Sequence, residues 1–315
     1  MNIPHLKKDI ESIRELYGLS NEEFAKKVGI SRMNLNRYKN GSVEPTLASL
    51  EKIYSFPYSH GFRLNKAKES LFIDNKKNNI LLFHGSKYGL KEIDSNHLNG
   101  TKDFGSGFYL GETFESASTW ICEYKESTVY AFYLGTLNNL KIISFDVSKD
   151  WFYAILYYRG AFEKYKLNDD VKRLIKEIEL SDLIIAPIAD NQMYDTINRF
   201  ANGEISDEQC VHALSATNLG KQYVLKTQKC IKQLSLIDQM FLCNQEKLDC
   251  LIVKKENFNI GKNKAQLSIR QYARKGKFIY EIFEEIWYSW LKPCSCSSND
   301  FWKKCRKRHF LKNVY

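Results

Sequence analysis

The segment from Leu19 to Pro45 carries the end signals of two short helices joined by a tight turn. Ser20, followed three residues later by Glu23, has the spacing of a capping box that starts a helix. Gly29 suits the turn because glycine adopts positive φ without strain, and Ser31 can cap the helix that follows. These local signals predict two successive helices at a fixed angle, which confines this part of the chain to a small helical domain.

Apolar residues at helical spacing predict one further helix on each side of that pair. Before it the apolar positions are Ile10, Ile13, Leu16 and Tyr17, and after it they are Leu47, Leu50 and Ile53. A recurrence every three or four residues forms one buried stripe on a helix. We therefore expect an all-α bundle of four helices over residues 1–55, followed by a linker at 56–79 that includes a short helix.

The solvent side of the third helix in this bundle is polar and basic. It carries Arg32, Asn34, Asn36 and Arg37, which are residue types that reach base edges and phosphates. A helical bundle with an ordinary solvated face would show the same composition. Residues 19–45 resemble the Cro/repressor-type (Xre) helix-turn-helix family, and this resemblance implies that DNA is a partner and that these four residues enter its major groove.

Charge and apolar patterning agree with a nucleic-acid partner. Lys and Arg number 47 against 37 Asp and Glu, which gives a formal net charge of +10, although a merely basic enzyme would have the same balance. No apolar run reaches the ~20 residues of a membrane span, and charges interrupt the N-terminal segment where a signal peptide needs an apolar core. We therefore expect a cytoplasmic protein with no membrane partner and with reduced cysteines.

From residue 80 the pattern changes to short apolar runs that predict strands mixed with helices. The run Ile80–Phe83 precedes His84-Gly85-Ser86, and the loop 103–107 precedes an aromatic strand containing Tyr109. Further strands are expected at 129–134, 140–147, 183–187 and 222–225, and a helix is expected at 114–124. The elements lack a βαβ rhythm, so the fold class is α+β.

Each of these central features has an ordinary structural explanation when taken alone. A histidine at a strand end is commonly a core residue, and an aromatic residue within a strand commonly packs. The loop with Gly105 and Gly107 lacks the third glycine of a dinucleotide-binding fingerprint, which excludes a Rossmann site.

Taken together, four segments in this order resemble an uncharacterised bacterial family with the ADP-ribosyltransferase fold, over about residues 80–235. The segments are Leu82–Ser86, Lys102–Leu110, Ile185–Asp190 and Lys221–Val224. Their order is that of the His, Tyr and Glu/Gln triad of diphtheria-toxin-like and poly(ADP-ribose)-polymerase-like transferases. The resemblance implies a split β-sandwich that holds NAD+ in a cleft.

The same resemblance implies roles for individual residues. His84, beside Gly85 and Ser86, would bind the adenosine ribose, and Tyr109 would stack on nicotinamide. Gln222 would bind the 2′-hydroxyl of the nicotinamide ribose. Asp103 and Gly107 would shape the loop. Many active relatives have Glu where this chain has Gln222, and Asp190 is a candidate for the missing charge.

The resemblance implies an enzyme that modifies a protein or nucleic acid, as a toxin or phage-defence effector with an antitoxin partner. The alternative is a DNA-binding regulator that binds NAD+ without turnover.

The C-terminal third is predicted to be helical over 236–292, with a long aromatic helix from Ser268 to Leu291. After it, residues 293–315 contain Cys294, Cys296, Cys305 and His309, a set that could complete a tetrahedral Zn²⁺ shell. An exposed basic tail is the alternative. The segment resembles the SEC-C zinc motif, which implies a chaperone or nucleic acid as partner; Arg306 stands where that motif has its fourth ligand, so His309 would supply it.

Overall fold

The computed structural model describes residues 5–90, 93, 102–189 and 192–285. The chain begins with a helical bundle and continues into a mixed sheet with helices, so the predicted α+β class is confirmed. Within the described residues, no helix combines the length and the apolar character needed to cross a membrane.

Helices and strands alternate irregularly along the chain. The helices are α1 (Leu6–Leu16), α2 (Asn21–Val28), α3 (Arg32–Lys39), α4 (Leu47–Ser59), α5 (Leu64–Asn75), α6 (Phe114–Ile121), α7 (Lys149–Tyr158), α8 (Asp169–Glu179), α9 (Met193–Ala201), α10 (Asp207–Leu214), α11 (Gln228–Ile231), α12 (Asn244–Gln271) and α13 (Ile279–Ile282). The strands are β1 (Ile80–Ser86), β2 (Phe108–Gly111), β3 (Thr128–Leu134), β4 (Ile142–Ser144), β5 (Tyr165–Lys166), β6 (Leu183–Pro187), β7 (Lys221–Leu225), β8 (Leu234–Phe241) and β9 (Glu284–Glu285).

The N-terminal bundle forms as its local signals predict. The Ser20 hydroxyl accepts a hydrogen bond from the Glu23 amide at 3.2 Å, and the Glu23 carboxylate accepts one from the Ser20 amide at 2.8 Å. Gly29 follows α2 in the left-handed conformation with φ of 63°. The predicted inward position of Leu16 is wrong, because this residue at the end of α1 is 50% exposed.

The central strands form one continuous seven-stranded sheet in the order β4-β6-β7-β2-β1-β3-β8. Only the β4–β6 pair is parallel among the pairings of these strands. These strands are hydrogen-bonded to one another in that order, and the remaining pair, β5 and β9, makes a small separate ribbon. Helices α7 to α10 contribute to a core that also takes in Val224 of β7, while α6 covers Phe83 of β1.

Several central elements appear where the apolar runs predict them. Strands β1, β3, β6 and β7 confirm four predicted strands, whereas the strand predicted at 140–147 is reduced to Ile142–Ser144. The predicted helix at 114–124 ends at Ile121. The region predicted to be helical over 236–292 is wrong at its start, because β8 extends to Phe241 and pairs with β3. Short apolar runs thus located these strands, but they did not indicate β8 or the length of each strand.

The predicted aromatic helix from Ser268 to Leu291 is wrong. The long helix is α12, which lies earlier and ends at Gln271. Gly276 then reverses the chain with φ of +80°, a conformation that side chains rarely adopt. Beyond it, the Lys277 amide donates to Asp207 Oδ1 at 2.8 Å, and β9 returns to pair with Tyr165.

The helical bundle is fastened to the sheet through α4 and α5. Lys68 of α5 lies between two carboxylates, with Nζ 2.6 Å from Asp9 Oδ2 of α1 and 2.9 Å from Asp238 Oδ2 of β8. The Tyr54 hydroxyl donates to the same Asp9 oxygen at 2.6 Å. All four side chains are buried, so the linker predicted at 56–79 carries an interior polar contact between the two parts of the chain.

Candidate functional site

Helix α3 presents the four predicted DNA-contacting residues to solvent. Arg32, Asn34, Asn36 and Arg37 are all exposed, while Leu35 and Tyr38 anchor the opposite side of the helix in the bundle core. Ser31 caps α3 by accepting a hydrogen bond from the Asn34 amide at 3.2 Å. The helix is thereby held rigidly with its polar side outward, which is the arrangement that entry into a major groove requires.

His84 lies near the end of β1, half-buried and held in one orientation. Its Nδ1 is 2.8 Å from the Tyr109 carbonyl oxygen, so this nitrogen carries the proton and donates it. The imidazole stacks on Phe108 with ring centroids 4.5 Å apart. Burial lowers the pKa of His84 to about 4, so the ring is neutral at pH 7 and Nε2 is its hydrogen-bond acceptor.

Gly85, the next residue, makes its close approach to a helix of the protein itself. A Cβ placed there would lie 2.5 Å from the Ala117 carbonyl oxygen and 3.0 Å from Ile121 Cγ2, both on α6. Packing against α6 therefore explains why a glycine stands beside His84. Ser86 donates its hydroxyl hydrogen to the Gly89 carbonyl at 2.7 Å.

Tyr109 is hydrogen-bonded to the glycine loop at residues 103–107. Its hydroxyl accepts from the Phe104 amide at 3.1 Å and donates to the Gly105 carbonyl at 2.8 Å. The Lys102 ammonium lies 4.7 Å from the centre of its ring, within the range of a cation–π contact. Gly107 is required by packing, because a Cβ there would lie 2.7 Å from Val224 Cγ1. The ring proposed to stack on nicotinamide thus also fixes the shape of the loop.

Asp103 is the centre of a polar cluster that connects three other parts of the chain, and within it Asp103 and Gln222 are buried. Its Oδ1 accepts from Arg159 at 2.6 Å (Nη2) and 3.1 Å (Nε), and its Oδ2 accepts from Gln222 Nε2 at 3.0 Å. Gln222 Nε2 also donates to the Pro187 carbonyl at 3.2 Å. Arg159 Nη1 in turn lies 2.6 Å from the Tyr194 hydroxyl. We call Asp103, Arg159, Gln222 and Tyr194 the Asp103 cluster.

The strand register divides the predicted triad between the two faces of the sheet. Phe83 pairs with Gly111, and Gly111 pairs with Gln222, so these three residues share one face. His84, next to Phe83, points to the opposite face, because side chains alternate along a strand. The structure therefore brings Asp103, Tyr109 and Gln222 together on one face and leaves His84 on the other.

Sequence reasoning missed Arg159 and Tyr194. Arg159 follows directly after α7, and Tyr194 lies in the first turn of α9, so nothing in the local sequence connects either residue to Asp103. Other predicted residues lie outside the described part of the chain. They are Asp190 and the zinc candidates Cys294, Cys296, Cys305 and His309.

Comparison with known protein families agrees with a DNA-binding class for the N-terminal part. Residues 10–54 match the family model described as "Helix-turn-helix", so a helix-turn-helix DNA-binding domain is present, as predicted. Residues 80–236 match the family model described as "Protein of unknown function (DUF3990)". No curated protein and no solved structure matched the chain.

Proposed function

We propose that this protein binds duplex DNA through α3 and that its central domain uses NAD+ to transfer ADP-ribose to a macromolecular acceptor. The helix-turn-helix match and the exposed polar side of α3 support the first part. The observation that carries the second part is the fixed orientation of Gln222 in the Asp103 cluster. It adds to the resemblance of the central segments to the ADP-ribosyltransferase fold.

The DNA part predicts a large loss of affinity when both arginines of α3 are removed. Replacing Arg32 and Arg37 by Ala should weaken specific duplex binding by about 100-fold, since each well-made base contact contributes roughly 1–3 kcal/mol. Binding should also depend less steeply on salt, because each lost phosphate contact lowers the slope of log affinity against log salt concentration by about 0.9. Fluorescence anisotropy on a duplex selected by the wild-type protein from a random library measures both effects.

A matched control removes two exposed basic side chains from α8, at Arg173 and Lys176. This control should bind the selected duplex as tightly as the wild-type protein. Equal affinity of the α3 variant and the α8 control would contradict the assignment of α3.

The NAD+ part is supported by the hydrogen-bonding state of Gln222. Both donor contacts of Gln222 Nε2 are to acceptors of the protein, which leaves its amide oxygen to accept from a ribose hydroxyl. The Nε2 acceptor of His84 lies on the opposite face of the sheet, so it is not part of this contact. Departure of nicotinamide requires an oriented ribose and dipoles directed at the developing positive charge, and a fixed amide oxygen is such a dipole.

A second candidate, binding of NAD+ without turnover, is favoured by the charge balance of the same cluster. Gln222 carries no charge, and the Asp103 carboxylate is already paired with Arg159 at 2.6 Å. Little net negative charge is therefore left to stabilise a cationic ribose. A DNA-binding regulator that responds to NAD+ would need only the binding contacts.

Release of nicotinamide from NAD+ separates the two candidates. The wild-type protein should release nicotinamide and transfer radiolabel from adenine-labelled NAD+ to an acceptor in a cell extract. Gln222→Ala should lower kcat more than it weakens NAD+ binding, because the lost contact matters most as the ribose becomes cationic. Gln245→Ala, on the exposed side of α12, is the control and should leave both quantities unchanged.

Gln222→Glu gives a second, sharper comparison. The new carboxylate would lie beside Asp103 Oδ2, which is 3.0 Å from Nε2 in the wild-type protein, so the two acids would share a proton. Its activity should therefore rise with pH as that proton is lost. If the wild-type protein binds NAD+ but releases no nicotinamide and labels no acceptor, the transferase proposal is wrong and the DNA-binding regulator remains.

A further inference from the structure

The second half of α12 and the segment after it are strongly basic, and neither the α3 site nor the Asp103 cluster uses them. Helix α12 has 28 residues and is about 42 Å long. Residues 254–277 contain one acid, Glu256, among eight basic residues. These are Lys254, Lys255, Lys262, Lys264, Arg270, Arg274, Lys275 and Lys277.

Three of these basic residues form a row along one side of the helix. Lys255, Lys262 and Arg270 are separated by seven and eight residues, which places them within a quarter-turn of each other at steps of about 10 and 12 Å. All three are exposed, and none has an ion-pair partner among the described residues. The row is therefore free to contact a chain of phosphates.

A groove between α12 and α9 runs beside this row. It contains a cavity of about 340 Å³, with Arg199 on the α9 side and Lys262 on the α12 side. Gln192 and Gln266 add two amide groups to its lining, and Asp195 is its one carboxylate. Amide groups can both donate to and accept from base edges, so the groove offers contacts for bases as well as for phosphates.

An aromatic side chain is exposed on the helix that carries the basic row. Phe258 of α12, one turn before Lys262, is 44% exposed. Proteins that bind single-stranded nucleic acid combine a basic groove with aromatic rings on which unpaired bases stack. A duplex keeps its bases stacked inside and offers this groove only its phosphates.

We propose that the groove between α9 and α12, with the Lys255–Lys262–Arg270 row, binds a single-stranded nucleic acid. This site is distinct from α3 and goes beyond the proposed function, since it requires neither NAD+ nor recognition of duplex DNA. Phosphates lie along the basic row, and an unpaired base enters the cavity between Arg199 and Lys262.

The test uses the full chain with Arg32 and Arg37 replaced by Ala, so that α3 contributes little. Fluorescence anisotropy measures binding of a labelled 20-nucleotide RNA, the matching single-stranded DNA and the corresponding duplex. In this background, Lys255→Ala, Lys262→Ala and Arg270→Ala together should weaken single-strand binding at least tenfold. They should also lower the slope of log affinity against log salt concentration by about 2, because each phosphate contact to a single strand contributes about 0.7 to that slope.

A control with the same loss of charge replaces Lys172, Arg173 and Lys176 on α8 by Ala, and it should retain single-strand affinity. Gln266→Ala should weaken binding while leaving the salt slope unchanged, because it removes a contact to a base. Tighter binding of the RNA would indicate contacts to the 2′-hydroxyl, and equal binding of the RNA and the DNA single strand would indicate phosphates and bases alone. Equal loss in the α8 control, or duplex binding as tight as single-strand binding, would overturn the proposal.

Discussion

Replacing Lys68 by Met is expected to lower the free energy of unfolding by about 3–5 kcal/mol. The substitution keeps the length of the buried side chain but removes the ammonium that lies between Asp9 and Asp238. Both carboxylates are almost fully buried, so each would lose its charged partner without gaining water. Urea unfolding at pH 7 measures the difference.

Two further variants separate this effect from a general loss of packing on α5. Lys66→Met changes an exposed lysine of the same helix and should cost less than about 0.5 kcal/mol. Adding Asp9→Asn and Asp238→Asn to Lys68→Met should recover part of the stability, because the buried negative charges are then gone. A cost of Lys68→Met no larger than that of Lys66→Met would contradict the predicted role of the ion pairs.

The same variant has a predictable pH dependence. Burial already raises the pKa of Asp9 in the folded protein, so the folded state binds a proton here more readily than the unfolded state. The stabilising contribution of Asp9 therefore falls as the pH rises from the pKa of Asp9 in the unfolded chain through its raised pKa in the folded protein. Losing Lys68 raises that pKa further, so the deficit of Lys68→Met should be smaller at pH 4.5 than at pH 8.

Replacing Arg159 by Met is expected to lower the free energy of unfolding by about 3 kcal/mol and to abolish the nicotinamide release that we propose for the central domain. The Asp103 carboxylate would remain buried with the Gln222 amide as its remaining side-chain partner in the Asp103 cluster. Arg159 holds the Asp103 carboxylate, and that carboxylate orients Gln222, so the loss of Arg159 would leave the amide of Gln222 without a fixed position. Urea unfolding and nicotinamide release measure the two effects.

The double variant Arg159→Met with Asp103→Leu separates structure from chemistry. An apolar pair of similar volume is often as stable as a buried ion pair, so the double variant should regain most of the lost stability. It should stay inactive, because Gln222 has lost the acceptor that orients it. Arg173→Met on α8 is the control for loss of one arginine. Activity in the double variant would contradict the role of the cluster in positioning Gln222.

The features that could be predicted from the sequence depend on contacts between residues that are close together in the chain. The capping pair Ser20 and Glu23, the turn at Gly29 and the exposed polar side of α3 all follow from contacts over one or two helical turns. Short apolar runs likewise located strands β1, β3, β6 and β7, since a buried strand needs little besides local hydrophobicity.

The sequence by itself determined the helix-turn-helix and the α+β class, because caps, turns and hydrophobic periods act locally. Only the tertiary structure decided which residues meet at the candidate site. Whether His84 and Gln222 share a face depends on strand register across three strands, and a shift of one residue would reverse the answer. Asp103 meets Arg159 across 56 residues and Gln222 across 119, and Lys68 meets Asp9 across 59. Such contacts depend on how the helices and strands pack, which no local pattern encodes.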